Sequence, residues 1–315
     1  MLRRDFTAAL CSLALTPCAA KASDSSRGPL FWLATRGNAG VFLMGFSGAK
    51  DMSWFTPRIQ RAFAESSELW LENAPPSAPG SQDPASQAAA LEIENLRHET
   101  GRTLFDVLEP PVRQRTLAYI AELGITKESI ETLRPWAAYY VLNSAFWAHW
   151  SQTKPEDNQG YVDAALRERA QKADKSIRYE LPNREAGARF MAGMSDKAQS
   201  QYVEWLLDFF DDQKKGLNNG LDAGWIKGQP AEAHARNLNR MRKKMPDLYQ
   251  AIQVRRNVWW AKKIDELLAA NQTYFIGIGL LHVLGPDSIP SQLQRLRVVA
   301  PSDLRESPAL ELPGE

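Results

Sequence analysis

Residues 274–282 read Tyr274-Phe275-Ile276-Gly277-Ile278-Gly279-Leu280-Leu281-His282, an apolar run that enters Gly279 and meets a histidine three residues later. Aromatic and β-branched residues in such a run favour a strand. A glycine at its end lets the backbone turn sharply and come close to a ligand. That places His282 at a strand's carboxyl end, where α/β sheets build their sites. A histidine there is either a site residue or one packed under a loop and satisfied by a hydrogen bond. The pattern occurs a second time in Val41-Phe42-Leu43-Met44-Gly45-Phe46-Ser47-Gly48. Aligned on Gly45 and Gly279, position 48 matches His282, and it holds glycine.

Outward from these segments, residues 30–35 and 41–45 flank a Gly/Asn turn and predict a hairpin. Thr56-Pro57 is an N-cap followed by proline at the first helical position, so a helix begins there with Ile59, Ala62 and Phe63 on its apolar face. Residues 69–71 form a strand ending at Glu72, and residues 73–85, rich in Pro, Ser and Gly, form a surface loop. The middle is predicted helical at 88–99, 110–123, 127–133, 136–151, 161–173, 184–194, 197–217, 231–244 and 247–270, with one strand at 175–180. A strand at 272–279, a short helix near 288–296 and a strand at 297–300 close the core, and residues 301–315 are expected to be a loosely ordered tail. The predicted class is mixed α/β: a central sheet built from N- and C-terminal strands, with a large, mostly helical middle.

The N-terminus has the layout of a signal peptide. Arg3-Arg4-Asp5-Phe6 is a basic start with a twin-arginine-like pattern, residues 7–15 are small and apolar, and Ala20-Lys21-Ala22 is a cleavage site. Cys18 leaves a lipoprotein signal as the alternative. The expected organisation is therefore a signal peptide at 1–22, a domain at 23–300 and the tail, in a chain exported to the bacterial periplasm or beyond. Both cysteines, Cys11 and Cys18, lie in the leader, so the mature chain has neither a disulfide nor a thiol nucleophile. Losing Arg3, Arg4 and Lys21 against Asp5 turns the formal charge of +1 into −1. That balance argues against nucleic acid as a partner. No later segment is apolar for long enough to span a membrane.

The chain resembles the TraB/PrgY/GumN family, part of a wider Tiki-like group of metallohydrolases. The resemblance is carried by Val41–Gly45, by Leu69-Trp70-Leu71-Glu72, and by Gly101-Arg102-Thr103-Leu104-Phe105-Asp106-Val107-Leu108. It continues through Leu133-Arg134-Pro135-Trp136, Tyr179-Glu180, Arg256-Asn257-Val258-Trp259-Trp260 and Gly277–Gly285. It implies a site of two Gly-x-x-His motifs, a Glu after the second strand and an Arg on the late helix. These carry over to His282, Glu72 and Arg256, with Glu180 as a further carboxylate, while the other His is replaced by Gly48. A divalent metal such as Mn, Co or Zn would be left with His282, Glu72 and Glu180 as ligands. His98, His149 and His234 lie in predicted helices without metal spacing.

Ile252, Arg256, Trp260 and Ile264 recur at i+4 and Leu267 continues the stripe, so Arg256 faces inward and needs a carboxylate partner, Glu72 or Glu180. It either orients a site carboxylate or substrate oxyanion, or fixes helix to sheet. The ten tryptophans mostly fit helical core positions, Arg240–Lys244 is a basic helix end, and no Gly-x-Ser-x-Gly elbow supports a serine hydrolase. Two readings follow. One is a degenerate relative that binds a peptide or small ligand without strong metal-dependent catalysis. The other is a metal-dependent, peptidase-like hydrolase using His282 with Glu72, Glu180 and Arg256.

Overall fold

The computed structural model describes residues 28–47, 52–74, 96–98, 101–150, 162–217, 221–229 and 232–306. The leader expected at 1–22 and the helix expected at 88–99, apart from residues 96–98, lie outside the described residues, as does Gly48.

Strands β1 (Phe31–Arg36) and β2 (Ala39–Phe46) form the expected hairpin around Gly37, whose φ of 57° is open to glycine at little cost. Helix α1 (Pro57–Glu65) and β3 (Glu68–Asn73) follow. The helical middle comprises α2 (Leu104–Val107), α3 (Pro110–Leu123), α4 (Lys127–Ile130), α5 (Pro135–Trp150) and α6 (Val162–Lys172). After β4 (Ser176–Leu181) come α7 (Arg184–Ala192), α8 (Asp196–Lys214), α9 (Leu221–Ile226), α10 (Glu232–Lys244) and α11 (Pro246–Tyr249). A π-helical turn at Gln250–Val254 leads into α12 (Arg255–Ala269). Strand β5 (Thr273–Gly279), a 3₁₀ turn (Leu280–Val283), α13 (Ile289–Arg295) and β6 (Leu304–Glu306) complete the chain.

One six-stranded sheet runs in the order β4-β3-β5-β2-β1-β6. Its first four strands are parallel, and β1 and β6 add an antiparallel edge. Its distant segments are joined as expected, with β5 between β3 and β2. Helices cover both faces, as parallel sheets require. Phe275 meets Phe63 of α1 edge-on at 5.5 Å, and a Cβ built on Gly277 would stand 3.0 Å from Leu166 of α6. Trp70 points the other way and meets Trp260 of α12 at 6.5 Å. The helical middle has its own core, in which α5 and α8 stack Phe146 on Phe210 at 3.8 Å.

Four expectations are corrected. Residues 297–300 do not form a strand. Arg297 turns the chain at φ 55°, and Val298 and Val299 are buried in the main core without strand pairing. The closing strand is β6, which pairs with β1, so residues 301–306 join the fold instead of the tail. The helix expected over 247–270 is interrupted by the π turn, whose wider winding re-phases the helix face just ahead of Arg256. The helix expected at 127–133 stops at Ile130, and Leu133 instead bridges Arg97, so His98 follows a β-bridge and is not helical.

The Asn183 side chain caps α7, accepting the Ala186 N–H at 2.8 Å. Asn183→Ala is expected to cost about 1 kcal/mol, read as a lower urea midpoint with unchanged slope.

Candidate functional site

Three neighbouring parallel strands deliver the site from their carboxyl ends. Side chains alternate across a strand, so Glu72 shares with Trp70 the β3 face turned toward α12. On β4, Glu180 likewise faces α12, and Trp260 donates its indole N–H to Glu180 Oε2 at 2.7 Å. On β5, Gly279 ends the strand and the 3₁₀ turn carries His282 into the core at 5% exposure. The Gly279 N–H donates to Glu72 Oε1 at 2.7 Å, and a Cβ at Gly279 would lie 3.2 Å from that oxygen.

Arg256 and Asn257 enter from the first turn of α12. Arg256 grips Glu180 with both arms of its fork, Nε to Oε1 at 2.8 Å and Nη2 to Oε2 at 2.6 Å. The same Nη2 lies 3.9 Å from Glu72 Oε2, and Nη1 lies 3.4 Å from His282 Nε2. Burial works against this charge, but the Glu180 hydrogen bonds and the charges of Glu72 and Glu180 outweigh it and hold the guanidinium above its ordinary pKa.

The histidine's tautomer follows from its neighbours. Asn257 Nδ2 donates to the Asp287 carbonyl at 2.7 Å, so its Oδ1 is the atom that faces His282 Nδ1 at 2.6 Å. An amide oxygen only accepts, so Nδ1 carries the proton and the Nε2 lone pair points toward Glu72 Oε1, 3.4 Å away, and Arg256. Burial first, then the Arg256 charge, push the imidazole pKa down to about 3 against the pull of Glu180. His282 is therefore neutral at pH 7.

The structure brings His282, Glu72, Glu180 and Arg256 together and leaves His98, His149 and His234 elsewhere. The pairing of Arg256 with Glu180 makes Glu180 its main partner and Glu72 a longer-range one. Asn257, Trp260 and the Gly279 N–H were not assigned roles from sequence. Asn257 and Trp260 both belong to the Arg-Asn-x-x-Trp pattern, and their i+3 spacing on one helix face was the available signal.

A divalent metal needs several donors converging on one point. His282 Nε2 and Glu72 Oε1 offer one edge of such a site. Both Glu180 oxygens are already held by Arg256 and Trp260, and a guanidinium, itself a cation, stands 3.4 Å from the imidazole nitrogen. The donor set of these residues does not fit a resident divalent metal.

Beside this cluster lies a cavity of about 840 Å³ with Glu72 and Arg256 in its wall. The remaining lining is largely apolar and aromatic, including Trp136, Tyr140, Phe190, Met191 and Tyr202. Tyr202 is stacked on Tyr139 at 4.0 Å, which fixes that wall against α5.

The TraB/PrgY/gumN family model matches residues 30–297, from the lead into β1 through the turn after α13. No curated protein sequence and no solved structure matches the chain.

Proposed function

The chain belongs to the TraB/PrgY/gumN family, and on that premise we propose that it is an exported binding protein for a peptide or small ligand, without strong metal-dependent catalysis. The observation that carries the reading is the cavity of about 840 Å³ beside the site cluster, a size suited to a small ligand or a few residues of peptide. The leader at 1–22 supports export. Gly48 supports the loss of metal chemistry, because a glycine has no donor to add where the family pattern has an imidazole. Arg256 supports it further, because its charge already balances the carboxylate that a metal would recruit.

Metal analysis of the purified protein after exposure to Mn²⁺, Co²⁺ or Zn²⁺ tests this. The expected result is no stoichiometric metal in the parent. Stoichiometric metal that disappears in His282→Ala would overturn the binding reading in favour of a metal-dependent hydrolase. Metal uptake only in Gly48→His would support the view that the missing imidazole is what separates this chain from a metal-binding relative.

A further inference from the structure

Resting on the binding reading above, we propose that the cavity selects a primary ammonium carried on an apolar or aromatic body, with Glu72 as its counter-charge. Among the described residues that line the cavity, only Glu72 and Arg256 carry charge. Arg256 spends three of its five N–H donors inside the protein: Nε and Nη2 are bound to Glu180, and Nη1 faces the lone pair of His282 Nε2. Among the described residues, Glu72 and Glu180 against the one guanidinium leave this cluster one negative charge in excess.

The hydrogen-bonding capacity points the same way. Glu72 Oε1 accepts the Gly279 N–H at 2.7 Å. Among the described residues, the Arg256 nitrogen facing Glu72 Oε2 lies at 3.9 Å, beyond hydrogen-bond distance. An entering carboxylate would bring a third anion to this cluster and no donor. An ammonium brings three donors and the missing charge. The rings of Trp136, Tyr140 and Tyr202 supply the rest, since aromatic rings attract cations and disfavour anions, while their area holds the apolar body; the Phe190 ring already carries the Arg256 guanidinium at 5.8 Å. A free amine and the amino terminus of an apolar peptide present the same chemistry.

Calorimetry on the full chain at pH 7 tests the assignment with 2-phenylethylammonium, the anion 3-phenylpropionate and neutral 3-phenylpropanol. The ammonium is expected to bind roughly tenfold or more tightly than either of the others. Glu72→Gln, which retains an acceptor for the Gly279 N–H, is expected to erase that preference. Tyr140→Leu replaces a half-exposed ring that meets Trp136 edge-on at 6.2 Å, and with folding checked by circular dichroism it is expected to weaken the ammonium several-fold and the alcohol much less. Equal affinity for the three probes, or preference for the carboxylate, overturns the ammonium assignment and leaves the binding reading standing. Failure of all three to bind, together with short apolar peptides, overturns both. Carboxamide-ended apolar peptides with free or acetylated amino termini separate the two sources. A loss of binding on acetylation assigns a peptide terminus, and tighter binding of the small amine than of either peptide assigns a free amine.

Discussion

Arg256→Ala is expected to destabilise the protein by about 3–5 kcal/mol, the usual cost of removing one partner from a buried ion pair. The Glu180 side chain is only 8% exposed, and the guanidinium supplies two of its three hydrogen bonds among the described residues. Without Arg256 the carboxylate keeps only the Trp260 indole N–H and must be protonated, rehydrated or left as an uncompensated charge. Glu72 loses the cation that offsets its proximity to Glu180. Arg256→Lys is expected to recover only part of the loss, because a single ammonium cannot reproduce the two-armed grip on Glu180. Replacing Arg256 and Glu180 together by Met and Gln is expected to cost less than Arg256→Ala alone, since the buried Glu180 charge is then not stranded and Glu72 has no second carboxylate beside it. Urea unfolding followed by circular dichroism measures all three. A loss below about 1 kcal/mol for Arg256→Ala would place this pair with solvated surface bridges and remove the argument that it organises the site.

The elements that set the sheet were visible in the sequence because their signals are local. The run 274–279 ends on glycine, and the Thr56-Pro57 boundary of α1 is a chemical punctuation mark that tertiary packing left in place. The i+4 stripe through Arg256 and Trp260 likewise anticipated which face of α12 is buried. The closing strand was misplaced because two adjacent valines, Val298 and Val299, look like a strand although they pack into the core from a turn, whereas β6 is three residues long and is defined only by its pairing with β1. The π turn between α11 and α12 had no signal in the residue types of Gln250–Val254. For the site, sequence supplied the members but not their roles. Glu72 and Glu180 were equal candidates for Arg256 until the register of β3 and β4 put Glu180 within bidentate reach and left Glu72 to the Gly279 N–H. The tautomer of His282 depends on Asn257 and the Asp287 carbonyl, two partners 25 and 5 residues away that only the fold brings together.

Lowering the pH from 7 to 5 is expected to remove about 2 kcal/mol of stability through His282 alone. In the unfolded chain its pKa is the ordinary 6.5, and in the fold it is about 3. Between those values the unfolded state binds a proton that the native state does not, so stability rises with pH across this window. The contribution is fully present above about pH 6.5 and falls by about 1.4 kcal/mol per unit below it. The cause is geometric as well as dielectric. A proton on Nε2 would point an N–H at the Arg256 guanidinium 3.4 Å away, inside a core where solvent cannot screen the pair. Carboxylates titrate strongly below pH 5, so the interval from 7 to 5 is the one in which histidine dominates. His98 is also held below its ordinary value, by burial first and then by Arg134, and contributes with the same sign. The decisive quantity is therefore the difference between the parent and His282→Asn, whose amide keeps a donor toward Asn257 but does not titrate. Its urea midpoint is expected to be lower than that of the parent at pH 7 and to fall much less on going to pH 5. Parallel pH dependence in the two proteins would mean that His282 is hydrated and protonates freely, and the neutral imidazole facing Glu72 and Arg256 would have to be abandoned.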